Sequence, residues 1–300
     1  MNRILVIGAT GNIGGQVVTQ LMATRSHVRA LVRDPETARL PPQVEVMRGD
    51  LTRPDTLEAC LAGIDTVFLV WTAPAAAVAA AFAPIAEHAR RIVFLSAPLK
   101  TPHPFFQQPN PSRVLAENIE RTIEASGLEW THLRPGMFAL NSRHFWGPQI
   151  RASGVVRWPY LAAPTAPIDE RDIAAVAIRT LTEDGHAGME YVLTGPQSLT
   201  QHEQISTIGS VIGRTLLVDE LPPDEARREG LAAMPAPVVA KLLDAWAAAV
   251  GQPAFVTSTV QEMTGRPART FREWVTANVG VFQAERQLEA KPVSGVTSRH

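Results

Sequence analysis

At 300 residues, 45% hydrophobic and 19% charged, the chain is long enough for one large α/β unit or a main domain carrying a smaller one, and its single cysteine excludes a disulfide-stapled scaffold. Its 28 Lys and Arg against 29 Asp and Glu leave a formal charge of −1, so no broad field invites nucleic acid and none is expected as a partner. The lone Cys60 and a start that runs from Met1 straight into strand-like residues predict a cytoplasmic protein, and the longest apolar run, 73–86, is broken by Pro74 and Pro84, so no membrane is expected either.

Residues 3–7 read as a buried strand, followed after the Gly8–Gly14 turn by a helical face of Val17, Val18, Leu21 and Met22. Strands follow at 27–32 and 44–47, and a helix at 54–62 is opened by Pro54 and closed by Gly63. Two more apolar runs, 67–70 and 92–95, flank the alanine-rich segment 75–88. Short continuous apolar strands separated by helices predict a doubly wound parallel sheet of the Rossmann type, covered on both faces. Five prolines between Ala97 and Pro111 predict an irregular loop at the carboxyl end of the fifth strand, the edge where such sheets place ligands. A helix at 112–126 and a sixth strand at 130–133 complete the pattern. Beyond Pro135 the chain reads as mainly helical, with capping boxes at Thr200-Gln-His-Glu203 and Thr270-Phe-Arg-Glu273. The expected division is a nucleotide-binding domain at 1–140 with 165–195, a smaller substrate-binding part at 141–164 with 196–283, and a fraying tail at 284–300.

Gly8-Ala-Thr-Gly11-Asn-Ile-Gly14 lies between a strand and a helix. There the backbone amides of Thr10, Asn12, Ile13 and the glycines can receive a diphosphate, because absent side chains allow close approach. The second strand ends Ala30-Leu-Val-Arg33. Arg33, with its planar fork, suits a ribose 2′-phosphate and favours NADP, while Asp34 keeps NAD as the alternative. Asp50 and Leu51, after the third strand, are placed to meet the adenine; an ordinary turn aspartate is the other reading.

With these pieces in hand, the chain resembles the NmrA-like group of atypical short-chain dehydrogenase/reductases. The resemblance rests on Gly8-Ala-Thr-Gly11-Asn-Ile-Gly14, Val32-Arg33-Asp-Pro35, Gly49-Asp-Leu51, Phe94-Leu-Ser96, Thr131-His-Leu-Arg134-Pro135-Gly136-Met-Phe138 and Asn141. It continues through Ile168-Asp169, Tyr191-Val-Leu-Thr-Gly195 and Arg269-Thr-Phe-Arg-Glu-Trp274. It implies that Val70, Trp71 and Thr72 line the cofactor at the end of the fourth strand, and that Pro135, Gly136 and Met137 lie beside the nicotinamide. Short-chain dehydrogenases usually donate the proton from a tyrosine followed four residues later by a lysine. Here Tyr160 and Tyr191 are followed at that spacing by Pro164 and Gly195, and alignment puts the two family positions near Ser112 and Ala116.

General acids supply about 10²–10⁴-fold in rate, so their loss argues against simple ketone reduction. An acceptor already cationic, such as an iminium, or one giving a delocalised anion, such as a quinone or enone, needs little proton donation. Ser96 and His103 are the remaining catalytic candidates, the first as an orienting hydroxyl, the second as a proton relay. Phe138, His144, Phe145, Trp146, Trp158 and Tyr160 form an aromatic-rich segment suited to holding a ring, or equally a small-domain core, and Asn141 offers a polar contact or a place on the surface. Glu117 and Glu120, with Arg113 and Arg121, read as plain helix ion pairs. No spacing suggests a metal site. The expected function is therefore NADP(H)-dependent reduction of a planar or cationic ring compound, with a non-catalytic NADP-sensing regulator and a redox-neutral cyclase or isomerase left open.

Overall fold

The computed structural model describes residues 2–231 and 234–283; the tail expected at 284–300 lies outside the described residues. The first half runs β1 (Arg3–Ile7), α1 (Asn12–Leu21), β2 (His27–Val32), β3 (Glu45–Arg48), α2 (Leu57–Leu61), β4 (Thr66–Leu69), α3 (Val78–His88), β5 (Arg91–Leu95), α4 (Pro104–Gln107), α5 (Pro111–Glu124) and β6 (Glu129–Pro135). Then come α6 (Asn141–Phe145), α7 (Gly147–Ala152), β7 (Val155–Trp158), β8 (Pro164–Thr165), α8 (Glu170–Thr182), β9 (Met189–Leu193), β10 (Leu199–Thr200) and α9 (Gln201–Ile212). The described chain closes with β11 (Leu217–Glu220), α10 (Pro223–Glu229), α11 (Ala236–Ala249), α12 (Thr259–Thr264) and α13 (Phe271–Ala277).

Seven strands form one parallel sheet in the order β3-β2-β1-β4-β5-β6-β9. Because successive strand residues point to opposite faces, β1 sends Ile4 and Val6 into a core shared with α1 and α8, and Leu5 and Ile7 into a second core shared with α2, α3 and α5. The chain reverses its winding between β1 and β4, which opens a crevice at their carboxyl ends. This is the doubly wound fold that the alternation of strand and helix predicts.

A third core gathers Trp146, Ile150, Trp158, Ile205, Leu243, Trp246, Phe271 and Trp274 from the second half. Both predicted capping boxes are formed, with Thr200 and Thr270 each exchanging hydrogen bonds with the glutamate three residues on. Two local readings change. The helix expected at 54–62 divides into a 3₁₀ turn at Pro54–Thr56 and α2. The proline loop is not wholly irregular, because Pro104 occupies the first turn of α4, where its missing N–H costs nothing.

Candidate cofactor cleft and substrate cavity

A cleft of about 610 Å³ lies at the carboxyl ends of β1, β2 and β4. Its floor is the glycine turn. Gly8 has φ +87, and a Cβ there would sit 2.8 Å from the Val70 Cβ. A Cβ on Gly14 would come within 2.1 Å of the Gly8 carbonyl oxygen, so only glycine lets α1 approach the turn this closely. No side chain caps α1, and the amides of Asn12, Ile13 and Gly14 find no acceptor among the described residues. Open amides, a helix N-terminus and close backbone approach fit the diphosphate of a dinucleotide.

Gly8, Thr10, Gly11, Asn12, Ile13, Gly14, Arg33, Asp50, Leu51, Val70 and Thr72 all line this cleft. The exposed Arg33 faces it, whereas Asp34 accepts from the Thr37 hydroxyl at 2.9 Å and lies 3.8 Å from Arg48. Asp50 accepts from the Thr52 amide and hydroxyl, both at 2.8 Å, and these bonds hold its carboxyl below the ordinary aspartate range. It is thus a turn aspartate that also borders the cleft. Trp71 departs from expectation: it stacks on Phe82 and donates Nε1–H to the Ala73 carbonyl at 2.6 Å, outside the cleft lining.

A second cavity, about 320 Å³, adjoins the first. Pro135, Gly136, Met137 and Asn141 line it from β6 and the turn beyond, Phe105 and Phe106 from the proline loop, and Asn110, Ser112 and Arg113 from the start of α5; α11 closes it with Lys241, Leu242 and Ala245. Phe138 lines both spaces and forms their common wall. Phe105 and Phe106 meet edge to face, with centroids 5.0 Å apart. Ser112, near which the resemblance puts the family's tyrosine, is exposed at the rim, and Ala116 is buried.

Several expected residues stand elsewhere. Trp146 and Trp158 are 1% and 0% exposed in the third core, so they pack that core and cannot face a ligand. His144 is exposed and Tyr160 packs on the same core; neither lines either space. His103 is buried, its Nε2 3.0 Å from the Pro253 carbonyl and its Nδ1 accepting from the Phe105 amide. Nδ1 caps α4 and Nε2 is held by the Pro253 carbonyl, so both ring nitrogens are engaged and no proton is left to relay. Ser96 donates its hydroxyl proton to Glu120 Oε1 at 2.6 Å and lines neither space.

That last bond belongs to a buried ion network. Arg134, 2% exposed, donates Nε–H to Glu120 Oε1 at 2.9 Å and Nη2–H to Oε2 at 2.6 Å, and reaches Glu190 on its other side. Lys100, in the proline loop, donates to Glu190 at 2.8 Å. Glu120 is therefore not the exposed helix acid its position suggested. Glu120, Glu124 and His132 come together at metal-ligand spacing, but both Glu120 oxygens are already held by Arg134. Sequence reasoning missed Phe105, Phe106, Arg113 and Lys241 as cavity residues. The only signal for Lys241 was its rarity, one of three lysines, placed in a mostly apolar helical run that it shares with Asp244.

A family profile described as NAD(P)H-binding matches residues 8–184. The chain is 39% identical over 289 residues to the (4-alkanoyl-5-oxo-2,5-dihydrofuran-3-yl)methyl phosphate reductase of Streptomyces griseus subsp. griseus, covering 94% of this chain and 100% of that protein. It is 34% identical over 293 residues to the NAD(P)H azoreductase of Xenophilus azovorans, covering 94% and 99%. Among solved structures, the triphenylmethane reductase of Citrobacter sp. superposes with a TM-score of 0.79 at 21% identity, covering 93% of this chain and 99% of that one.

Proposed function

The chain belongs to the NAD(P)H-binding family, in keeping with its NmrA-like motifs, and from that premise we propose that it is an NADPH-dependent reductase of planar, conjugated acceptors. The observation that carries this reading is the common wall: Phe138 separates a cleft fitted to a dinucleotide from an aromatic cavity large enough for a ring compound. When bound, reduced nicotinamide supplies the hydride, and the chain's own residues have to place the acceptor and tolerate the charge that develops.

Positioning falls to Phe105, Phe106 and Phe138, whose faces can hold a flat molecule against the Pro135-Gly136 backbone. A Cβ on Gly136 would meet the Phe106 ring at 3.4 Å, an ordinary van der Waals contact that places this backbone next to the ring. The proton donors first considered, Ser96 and His103, are occupied. An acceptor whose product anion is delocalised suits such a site, because protonation can follow from water. The charged lining residues of the cavity are Arg113 and Lys241, with no carboxylate. This polarity favours a neutral or anionic acceptor that gains electron density, such as an enone, quinone or azo compound, over an iminium cation. The names of the relatives at 39% and 34% identity, for an acyl-dihydrofuranone phosphate reductase and an azoreductase, describe acceptors of that kind. Arg33 is assigned to the 2′-phosphate of NADP, and the turn Gly8–Gly14 to the diphosphate. Residues 1–140 with 165–195 are assigned to the cofactor, and 141–164 with 196–283 to the substrate.

Incubation of the purified protein with NADPH and a panel containing menadione, an α-acyl butenolide and methyl red tests the reading. Acceptor-dependent loss of reduced-nicotinamide absorbance is the expected result. Tight NADP binding with no turnover across the panel overturns it.

A further inference from the structure

The substrate cavity contains a charge that no group among the described residues answers. Lys241 lies in the first half of α11 and lines the cavity one helical turn before Ala245, on the same face of the helix. Burial is the sole influence on its ammonium, pulling its pKa below the ordinary lysine value; no hydrogen bond or nearby charge among the described residues acts on it. The acid nearest to it on the helix, Asp244, is paired with Arg227 at 3.0 Å. Arg113 lines the same cavity and donates one Nη1–H to the Phe106 carbonyl at 3.0 Å, which leaves the rest of its fork without a partner among the described residues. Ser112 and Asn110, both uncharged, stand beside it, and no Asp or Glu is in the lining.

A partly buried ammonium without a counter-ion costs stability unless a ligand supplies one. We propose that Lys241 and Arg113 form a binding site for a phosphate monoester group on the substrate, so that the acceptor class is a conjugated ring compound bearing such a group. Two unit positive charges match a phosphate dianion, whereas a carboxylate leaves one of them uncompensated, and a guanidinium fork with an ammonium is a common phosphate-binding pair. The inference rests on the reductase reading in that it takes this cavity to be the substrate site.

Calorimetry with phenyl phosphate, phenol and benzoate on protein preloaded with NADP⁺ tests it, since the preloaded cofactor already fills the glycine turn. Phenyl phosphate is expected to bind about 10–100-fold more tightly than phenol, the size of one or more charge-assisted hydrogen bonds. Lys241→Met is expected to remove most of that advantage and Lys241→Arg to keep most of it. The inference is overturned if wild-type protein binds phenyl phosphate no better than phenol, a comparison that needs no variant, or if Lys241→Met keeps the full advantage. Benzoate matching phenyl phosphate overturns the assignment to phosphate. The two readings fail separately: menadione turnover without a phosphate advantage removes this site and leaves the reductase. A Lys241-dependent phosphate advantage without turnover of any acceptor does the reverse.

Discussion

On the proposed reading, Arg33 is the residue on which the choice between the two nicotinamide nucleotides turns. Among the described residues it borders the cleft with no ion-pair partner, while the neighbouring carboxylate of Asp34 is drawn into its own turn by Thr37 and toward Arg48. A carboxylate that caps a turn is poorly placed to accept from a ribose hydroxyl, and an open guanidinium is well placed to meet a phosphate. Arg33→Glu is therefore expected to lower the preference for NADPH over NADH by about 10–100-fold, read from kcat/KM for each. An unchanged ratio removes the argument. The same test of prior engagement separates the other candidates. Ser96 and His103 have the right chemistry, but their protons and lone pairs are already used by Glu120, Pro253 and Phe105. Among the described residues Lys241 has neither a hydrogen-bond partner nor a counter-charge, which leaves it open to a ligand.

At the scale of elements, the buried Arg134 joins β6 to α5 through Glu120 and to β9 through Glu190, while Lys100 ties the proline loop to the same carboxylate. The network lies beside the last residues of β6, next to the Pro135-Gly136 backbone that lines the second cavity. Glu120→Ala strips Arg134 of two hydrogen bonds in a buried setting and is expected to cost about 3–5 kcal/mol, measurable by urea unfolding. A loss within the range of an ordinary surface ion pair, under about 1 kcal/mol, shows that Arg134 finds other partners. This network also marks the limit of what the sequence reveals. The glycine turn, the capping boxes and the β1–β6 alternation were legible because each is decided within a dozen residues by backbone geometry and side-chain periodicity. The cavity was not, because Phe106, Gly136 and Lys241 meet only after the sheet is assembled and α11 packs on α4. The aromatic segment 138–160 had the composition of a ring site, yet Trp146 and Trp158 satisfy the third core instead. Composition cannot distinguish an aromatic that packs a core from one that lines a cavity.

Across the whole molecule, the response to acid follows from where the folded chain refuses protons. His132 is fully buried in β6, stacked on Trp130 at 4.5 Å and edge-on to Phe94 at 6.0 Å. Neither ring nitrogen makes a hydrogen bond, although Nε2 lies 3.4 Å from a Glu124 oxygen, a distance of ion-pair rather than hydrogen-bond geometry. Burial holds its pKa below the ordinary imidazole value, against the pull of Glu120 and Glu124. A depressed histidine pKa means that the unfolded chain takes up the proton first. Stability is then lost as pH falls from about 6.5 toward the folded pKa, at up to about 1.4 kcal/mol per pH unit. Glu170 and Asp172, whose carboxyls burial holds above their ordinary range, act in the opposite direction, because folding makes them easier to protonate. Both remain in a His132→Asn variant, so the difference between wild type and variant isolates the imidazole. Urea unfolding from pH 8 to pH 5 is expected to show wild-type stability falling more steeply below about pH 6.5 than that of His132→Asn. Parallel curves would mean that His132 is protonated equally in both states and that Glu124 closes on it to form a true pair.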